Sequence, residues 1–426
     1  MRVDHRWAEV VLDGGAEPVG ELCNHSQDDP HGMDAVAAAR ETHDKVRSDL
    51  LKTLEMNSQG LRVVETNPQT DPRWKSFVET HPNGSIFHHP LWLEAIEREY
   101  GQRGVHFICV DARGQVQAIL PMLYTRGVPF NLGGEQTGRR LSSLPRTPIA
   151  GPLSMDSQAT VSLLQMAVQR VSRNPGTRLQ IKTQGPELDG LIDGVVCMPW
   201  RLSYVLKLSD SLEEPFRVGK SHHRRGIKSN VHRAAKLGVH IRAAETEEDL
   251  HEWYMLYLDV MRRNTVPPRP YRFFATIWDL MQPRGMMQLL LAEQERNGRK
   301  KILAGSIFLM FGRTVSYAFN GSRFEDLSLR PNDAIFWHAI NEAHRRGFQS
   351  FDFGEVEEGN SELASYKSKW GSKPVRLYRY YYVARRDLEV DAAESGGLPK
   401  LLTQAVWRRV PLKATAWLGD WIYGYL

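Results

Sequence analysis

From Leu61 onward, short runs rich in branched and aromatic residues alternate with longer stretches whose apolar residues recur at helical spacing, the texture of an α/β layered domain. Pro90 opens a helix in which Leu93, Ile96 and Tyr100 share a face. The hairpin that follows pairs Val105 to Val110 with Val116 to Leu123 across Ala112-Arg113-Gly114. A polar loop rich in Gly and Pro leads to a second helix, Gln158 to Val171, and to strands at Leu179 to Thr183 and Tyr204 to Leu208. Together these make a first unit over 61–208.

The same grammar returns in 209–390. Helices are expected at Ser221 to Leu237 and Asp249 to Arg263, then strands at Met287 to Ala292 and Ile302 to Met310, with a hairpin turning at Gly312-Arg313 into Val315 to Asn320. Asn332 is expected to cap a helix whose core face is Ile335, Phe336, Ala339, Ile340 and Ala343, and Gly347 stops it. Strands Phe348 to Gly354 and Leu377 to Val383 complete the second unit. The fold class is therefore α/β with mixed (α+β) sheets, in two similar tandem units. Residues 1–60, with twelve acidic against six basic residues, read as a disordered extension and 391–397 as a linker. The tail 398–426 is amphipathic, with Trp407, Trp417, Trp421, Tyr423 and Tyr425 beside Arg408, Arg409 and Lys413. Such a helix suits a membrane interface near an acidic leaflet, or a berth on the second unit.

Composition narrows the classes. The 426 residues suffice for two to four domains, and 41% hydrophobic with 25% charged residues excludes collagen-like or wholly disordered chains. Cys23, Cys109 and Cys197 are too few and scattered for a disulfide framework or a structural zinc site. No eighteen apolar residues occur in succession, so a cytoplasmic protein without a spanning helix is expected. The net charge is only +5, which makes the placement of charge more informative than its sum.

That placement is uneven. Between Glu214 and Glu245 there are eight Lys or Arg and no acid, and Arg224, Lys228, His232 and Lys236 fall at successive i, i+4 positions. Ile227, Val231 and Ala234 take the opposite side, so the helix can dock while offering cations to phosphate; a solvated face is the plainer reading. Gly219-Lys220-Ser221 lacks the earlier glycine of a P-loop, Glu214 standing in its place, and Gly133-Gly134 is only a loop feature. His88-His89 and His222-His223 lack the further ligands that a metal requires. Further on, Asp352 lies between Phe351 and Phe353 on a strand, followed by a loop with Glu355, Glu357 and Glu358 and then Tyr366-Lys367-Ser368-Lys369-Trp370-Gly371. Asp352 can accept a proton or cap a loop. Lys367 can meet a developing oxyanion, or be a surface lysine whose stem covers Trp370.

The order of the basic helix with Arg224-Arg225 and Lys236-Leu237-Gly238-Val239, then Pro331-Asn332, Phe351-Asp352-Phe353-Gly354 and Tyr366-Lys367-Ser368-Lys369-Trp370-Gly371, resembles the Fem-type branch of the GNAT acyltransferase superfamily. The resemblance spans about 61–385 and includes Phe87-His88-His89-Pro90-Leu91-Trp92-Leu93, as in FemAB-like envelope and polysaccharide proteins. It implies two tandem GNAT-like units and transfer of an acyl or aminoacyl group to an amine of a cell-envelope or exopolysaccharide precursor bearing phosphate groups. Lys367 would assist at the acyl carbonyl, Asp352 or Glu355 would accept the proton, and Arg224, Arg225, Lys228, Asn332, Tyr366 and Trp370 would bind substrate. No permanent cofactor or metal is implied. The co-substrate is acyl-CoA or aminoacyl-tRNA: the helical arm that some Fem enzymes insert for tRNA is absent, and Arg330-Pro331-Asn332-Asp333-Ala334 stands where a glycine-rich pyrophosphate loop would be. The enzyme would work at the inner face of the cytoplasmic membrane. The rival expectation is a non-catalytic binding protein for nucleic acid or an anionic glycan, with Tyr378 to Tyr382 as stacking platforms.

Overall fold

The computed structural model describes residues 60–126, 139–174, 176–208, 221–382 and 410–423, without the side chains of 221–224, 413 and 422–423. The expected extension up to residue 59, the linker, Gly133-Gly134, Gly219-Lys220, Trp407, Arg408, Arg409, Tyr425 and the side chains of Arg224, Lys413 and Tyr423 lie outside the described residues.

The chain begins with β1 (Arg62–Thr66), α1 (Pro72–Thr80), α2 (Pro90–Tyr100), β2 (His106–Val110), β3 (Val116–Leu120), β4 (Leu123–Thr125), β5 (Arg139–Ser142), β6 (Leu153–Ser154), α3 (Ser157–Ser172), β7 (Thr177–Thr183) and β8 (Val195–Lys207). It continues with α4 (Ser221–Lys236), β9 (Val239–Ala243), α5 (Glu247–Asn264), α6 (Tyr271–Met281), β10 (Met287–Arg296), β11 (Arg299–Phe311) and β12 (Thr314–Ser322). Then come α7 (Pro331–Arg345), β13 (Ser350–Val356), α8 (Ser361–Ser368), β14 (Lys373–Tyr382) and α9 (Leu412–Tyr423). Local chemistry starts the helices. Asp71 accepts from Arg73 N at the head of α1, and His89 Nδ1 accepts from Leu91 N at 3.2 Å at the head of α2, each followed by an early proline.

Strands β1, β2, β3 and β6 form one sheet, and the other runs β4-β5-β7-β14-β8-β13-β12-β11-β10-β9. In the larger sheet β5 pairs β7 in parallel and β12 pairs β13 in parallel. Each parallel pair is joined by a crossover containing a helix, α3 in the first half and α7 in the second, so the two halves repeat one supersecondary device. The last strand of the sheet, β14, returns from the second half and inserts between β7 and β8.

Alternation along β10 shows why both sheet faces are covered. Leu289 and Leu291 join the core beneath α2, α5 and α6, whereas Leu290 and Ala292 join the core beneath α4 and α7. A third cluster packs Leu163, Leu164 and Ala167 of α3 on Leu141, Leu179 and Tyr380. Gly305 and Gly321 sit opposite each other on β11 and β12 where α5 crosses. A Cβ on Gly305 would come within 2.6 Å of Trp253, and one on Gly321 within 2.7 Å of the Tyr257 nitrogen, so the bare backbones set how closely the helix lies. Arg269 pins the halves together: it donates to Glu99 of α2 at 2.7 Å and to the Arg146 carbonyl at 2.6 Å, and its guanidinium lies 4.3 Å from the Phe273 ring centre.

Some expectations need correction. The strand expected at Tyr204 begins at Val195, because Pro199-Trp200-Arg201 carries no strand-like pattern and is recruited by pairing with β14. The run to Leu123 breaks into β3 and β4, which belong to different sheets. Asn332 does not cap α7. Arg330, in the left-handed conformation at φ 61, is the cap residue, and Pro331 already occupies the first turn. The stop at Gly347 stands, with φ 79 and Phe348 N bonded to Ala343 O.

Arg242 of β9 donates to both oxygens of Asp249, at 2.8 and 2.6 Å, and to Glu293 at 2.8 Å, while Asp249 completes a capping box with Thr246 at the head of α5. The Arg242 hydrogen bonds hold the Asp249 carboxyl at about 2, below its ordinary 3.8, against the effect of burial. A carboxyl depressed in the folded state contributes stability above its unfolded pKa and loses it as pH falls through the folded value. Urea titrations should therefore show stability declining by roughly 2 kcal/mol from this group as pH falls from the ordinary carboxylate value toward 2. Asp249→Asn should remove that part of the acid limb, and an unaltered limb would refute the assignment.

Candidate active site

Strands β12 and β13 pair only at Thr314↔Ser350, Val315↔Phe351 and Ser316↔Asp352, and then part. On its other side β13 slips register against β8 between Asp352 and Glu355, around Gly354 with φ 77. Between those residues the strand leaves both ladders, which frees backbone groups for other partners.

Helix α8 supplies one. Asn360 caps it through Leu363 N at 3.2 Å, and its last turn carries Lys367. Lys367 is 2% exposed, and its Nζ donates to the Gly354 and Glu355 carbonyls at 3.2 and 2.9 Å. The reading of a surface lysine is thereby corrected: the carbonyls released at the slip let the ammonium be buried.

Phe351 and Phe353 enter the core beneath α7, so alternation sends Asp352 to the opposite face. Its Oδ1 accepts from Ser203 Oγ at 2.7 Å and from Gly354 N at 2.8 Å. Burial pushes this carboxyl up, against those hydrogen bonds and the charge of Lys367. Glu355 lies on β13 rather than in a loop, because pairing with Ser203 resumes after the slip; it is 5% exposed with Oε2 3.7 Å from Arg201 Nη1. Asp352 and Glu355 thus share one end of β13 with Lys367, whose ammonium meets main-chain carbonyls there and whose charge reaches Asp352, while the Glu355 carboxylate faces Arg201.

A second group forms around Asp333, in the first turn of α7. Its Oδ1 accepts from the Tyr366 hydroxyl at 3.2 Å and Lys369 Nζ at 2.8 Å, and its Oδ2 accepts from Asn230 at 2.9 Å. One buried carboxylate therefore ties α4, α7 and α8 together. Burial pushes the Tyr366 hydroxyl up and the Lys369 ammonium down, the latter against the pull of Asp333. Asn332, beside it, is half-buried, and its Oδ1 has no hydrogen-bond partner among the described residues. Trp370 is core, packed against Phe336 and Phe353 at ring distances of 5.8 and 6.2 Å. On α4, Ile227 and Ala234 are buried while Arg225 and Lys228 are exposed; the side chain of Arg224 lies outside the described residues.

Sequence reasoning passed over Asp333, Ser203 and Arg201. An acid in a first helical turn signals the helix dipole, and nothing local announces Lys369 as its partner. His88 and His89 have structural work instead, and the side chains of His222 and His223 lie outside the described residues. His88 bonds Ser85 Oγ at 2.8 Å and the Gly151 carbonyl at 2.9 Å, and burial lowers His88 and His89 to about 4. Tyr380, in the aromatic run considered for stacking, is 1% exposed and packs in the core.

Asp333→Ala leaves Lys369 and Asn230 without their acceptor, so a loss of about 2 kcal/mol or more is expected in urea unfolding. Asp333→Asn should cost less. Wild-type stability in Asp333→Ala would show that the three helices are held by apolar packing alone.

Residues 221–368 match the profile of the acetyltransferase (GNAT) domain family. Among solved structures, FemX superposes with a TM-score of 0.59 at 15% identity, covering 77% of this chain and 99% of that one. The C-terminal domain of a protein described as a lysylphosphatidylglycerol synthetase, from Agrobacterium fabrum, gives 0.50 at 15% identity over 78% of this chain and 98% of that one. No curated protein sequence matches the chain. The parallel β12–α7–β13 crossing and its parted strands fall inside the matched segment. Residues 221–368 thus match an acetyltransferase (GNAT) domain, and the chain carries that segment within a fold similar to that of FemX, its two halves sharing one sheet.

Proposed function

We propose that the protein is an N-acyltransferase that moves an acyl or aminoacyl group onto an amine of a cell-envelope or exopolysaccharide precursor. The observation that carries this reading is that Asp352 and Glu355, with the buried Lys367 ammonium bonded to the main chain between them, both lie on the stretch of β13 that begins where β12 and β13 part. In such a reaction the amine gives its proton to a carboxylate, its nitrogen bonds the acyl carbon, and the ester or thioester bond breaks, the leaving group regaining a proton. Asp352 suits the proton acceptor because burial raises its carboxyl, while Glu355 is engaged by Arg201. Lys367 would stabilise the oxyanion of the tetrahedral intermediate. The donor stays open between acyl-CoA and aminoacyl-tRNA. Asp333 weighs against a CoA pyrophosphate at the head of α7, since its carboxylate already occupies that first turn. The lysylphosphatidylglycerol synthetase neighbour is by its name a maker of an aminoacylated lipid, which supports an envelope acceptor.

Work at the membrane face is supported by α9. Thr415 is fully buried, Gly419 lies against Pro268 and Arg272 pairs with Asp420, so the helix is seated on the body. It leaves Trp417 and Trp421, four positions apart, 68% and 45% exposed. Among the described residues no helix is long and apolar enough to cross a membrane. Sedimentation with anionic vesicles should fall in the double variant Trp417→Ser, Trp421→Ser without loss of fold, and equal sedimentation would reject peripheral binding.

The central test is Lys367→Met. It leaves two carbonyls without their donor, so some stability is lost, but turnover in the folded variant should fall about a hundredfold. Asp352→Asn should remove the acidic limb from the pH profile of kcat/KM, since the acceptor works only when ionised. Near wild-type turnover by a folded Lys367→Met would sink the assignment of the site.

A further inference from the structure

A second polar cluster spans four neighbouring strands, β7, β14, β8 and β13, with Lys182 opposite Arg379, Arg379 opposite Met198, and Glu355 opposite Ser203. Arg201 is only 6% exposed, yet its ion pairs to Glu355 and Glu357 are long, 3.7 and 3.4 Å, where a well-made guanidinium–carboxylate bond is about 2.8 Å. Its Nε has no hydrogen-bond partner among the described residues, and the same is true of Arg379 Nε and Trp200 Nε1, all three atoms being buried. The three side chains are stacked together: the Arg379 guanidinium lies 3.3 Å, and that of Arg201 5.3 Å, from the Trp200 ring centre. Arg379 is set by its bond to Tyr381, which accepts from Gln180 at 3.1 Å, whose own oxygen accepts from Ser142 at 3.0 Å. Lys182, across from Arg379, donates to the Leu144 and Thr147 carbonyls at 2.7 and 3.1 Å, and burial together with the charge of Arg379 pushes its ammonium well down, a cost that an anion nearby would offset.

Lys182, Arg201 and Arg379 give three cations, and Glu355 is the buried carboxylate among them. Glu357, paired with Arg201 but largely in solvent, is the other carboxylate, so one positive charge is left over where solvent screens weakly, a costly arrangement unless an anion shares it. Three N–H donors approaching from different side chains suit a tetrahedral group with several charged oxygens better than the two oxygens of a carboxylate. Met198, 39% exposed on the neighbouring turn of β8, puts the cluster next to solvent.

We propose that Trp200, Arg201 and Arg379, backed by Lys182, form a binding site for a phosphoryl group, separate from the exposed cations of α4. Identifying that group with a phosphate of the acceptor rests on the transferase reading; the anion site itself does not. With Glu355 shared between the cluster and the candidate catalytic carboxylates, a phosphoryl group held here would fix the acceptor beside the strand end that carries Asp352 and Lys367.

The test is titration of the full-length protein with inorganic phosphate at constant ionic strength, read by thermal shift and calorimetry. Saturable stabilisation is expected, weakened about tenfold or more in Arg379→Met and partly restored in Arg379→Lys. Trp200→Phe keeps an aromatic ring beneath Arg379 and deletes one donor, so it serves should Arg379→Met lose its near-ultraviolet circular dichroism; it should weaken binding several-fold. The double variant Arg225→Ala, Lys228→Ala should bind as wild type. No saturable response in the wild type, equal affinity in Arg379→Met and Trp200→Phe, or loss confined to the α4 variant would each overturn the site. Lys367→Met separates the two readings, because phosphate binding should persist in it whatever happens to turnover.

Discussion

The two halves depend on a buried guanidinium. Arg269 comes from the segment before α6, yet its charge is met by Glu99 of α2, both side chains being out of water. Removing one partner of such a pair leaves an uncompensated charge in the interior, at about 3–5 kcal/mol. Its other branch holds the Arg146 carbonyl, in a loop where Leu144 and Arg146 both adopt positive φ, 60 and 50. Residues with a Cβ persist in that region only when their surroundings over-determine them. Here Arg269 grips the loop from one side and Lys182 from the other, through the Leu144 and Thr147 carbonyls. A mechanical path thus runs from α2 through this loop to β7, the third strand of the large sheet.

The sheet centre differs in chemistry from its flanks. Toward β10 and β11 both faces are apolar, as a sheet covered by helices on both sides requires. At β7, β14, β8 and β13 one face instead carries Gln180, Lys182, Arg379, Ser203, Asp352 and Glu355. Side chains there are held by bonds to backbone and to one another, so the polar groups are ordered before any ligand arrives, which is what a reacting site needs.

Strong periodicity made much of this legible. The five apolar positions of α7 and the Ile227 and Ala234 face of α4 are core, and Gly347 ends its helix as its conformation demands. What escaped was fixed by partners distant in sequence. Pro199-Trp200-Arg201 becomes strand because β14 arrives beside it, more than 170 residues later. Burial of Lys367 depends on a register slip that alternation along β13 alone does not reveal, and Asp333 acquires its meaning from Lys369 and Asn230. Residue type suggested where chemistry lies, but which atoms meet is a property of topology.

The insertion of β14 between β7 and β8 also sets a timetable for synthesis. Until about residue 382 has left the ribosome, β7 has no partner on that side and β8 lacks its principal neighbour, so a nearly complete first half presents an open strand edge. Closing it joins residues about two hundred positions apart, a slow, high-contact-order event. The first half is therefore not a unit that can finish folding as it emerges. It must wait for the end of the second, and during that interval the nascent chain is most exposed to mispairing with another copy of itself.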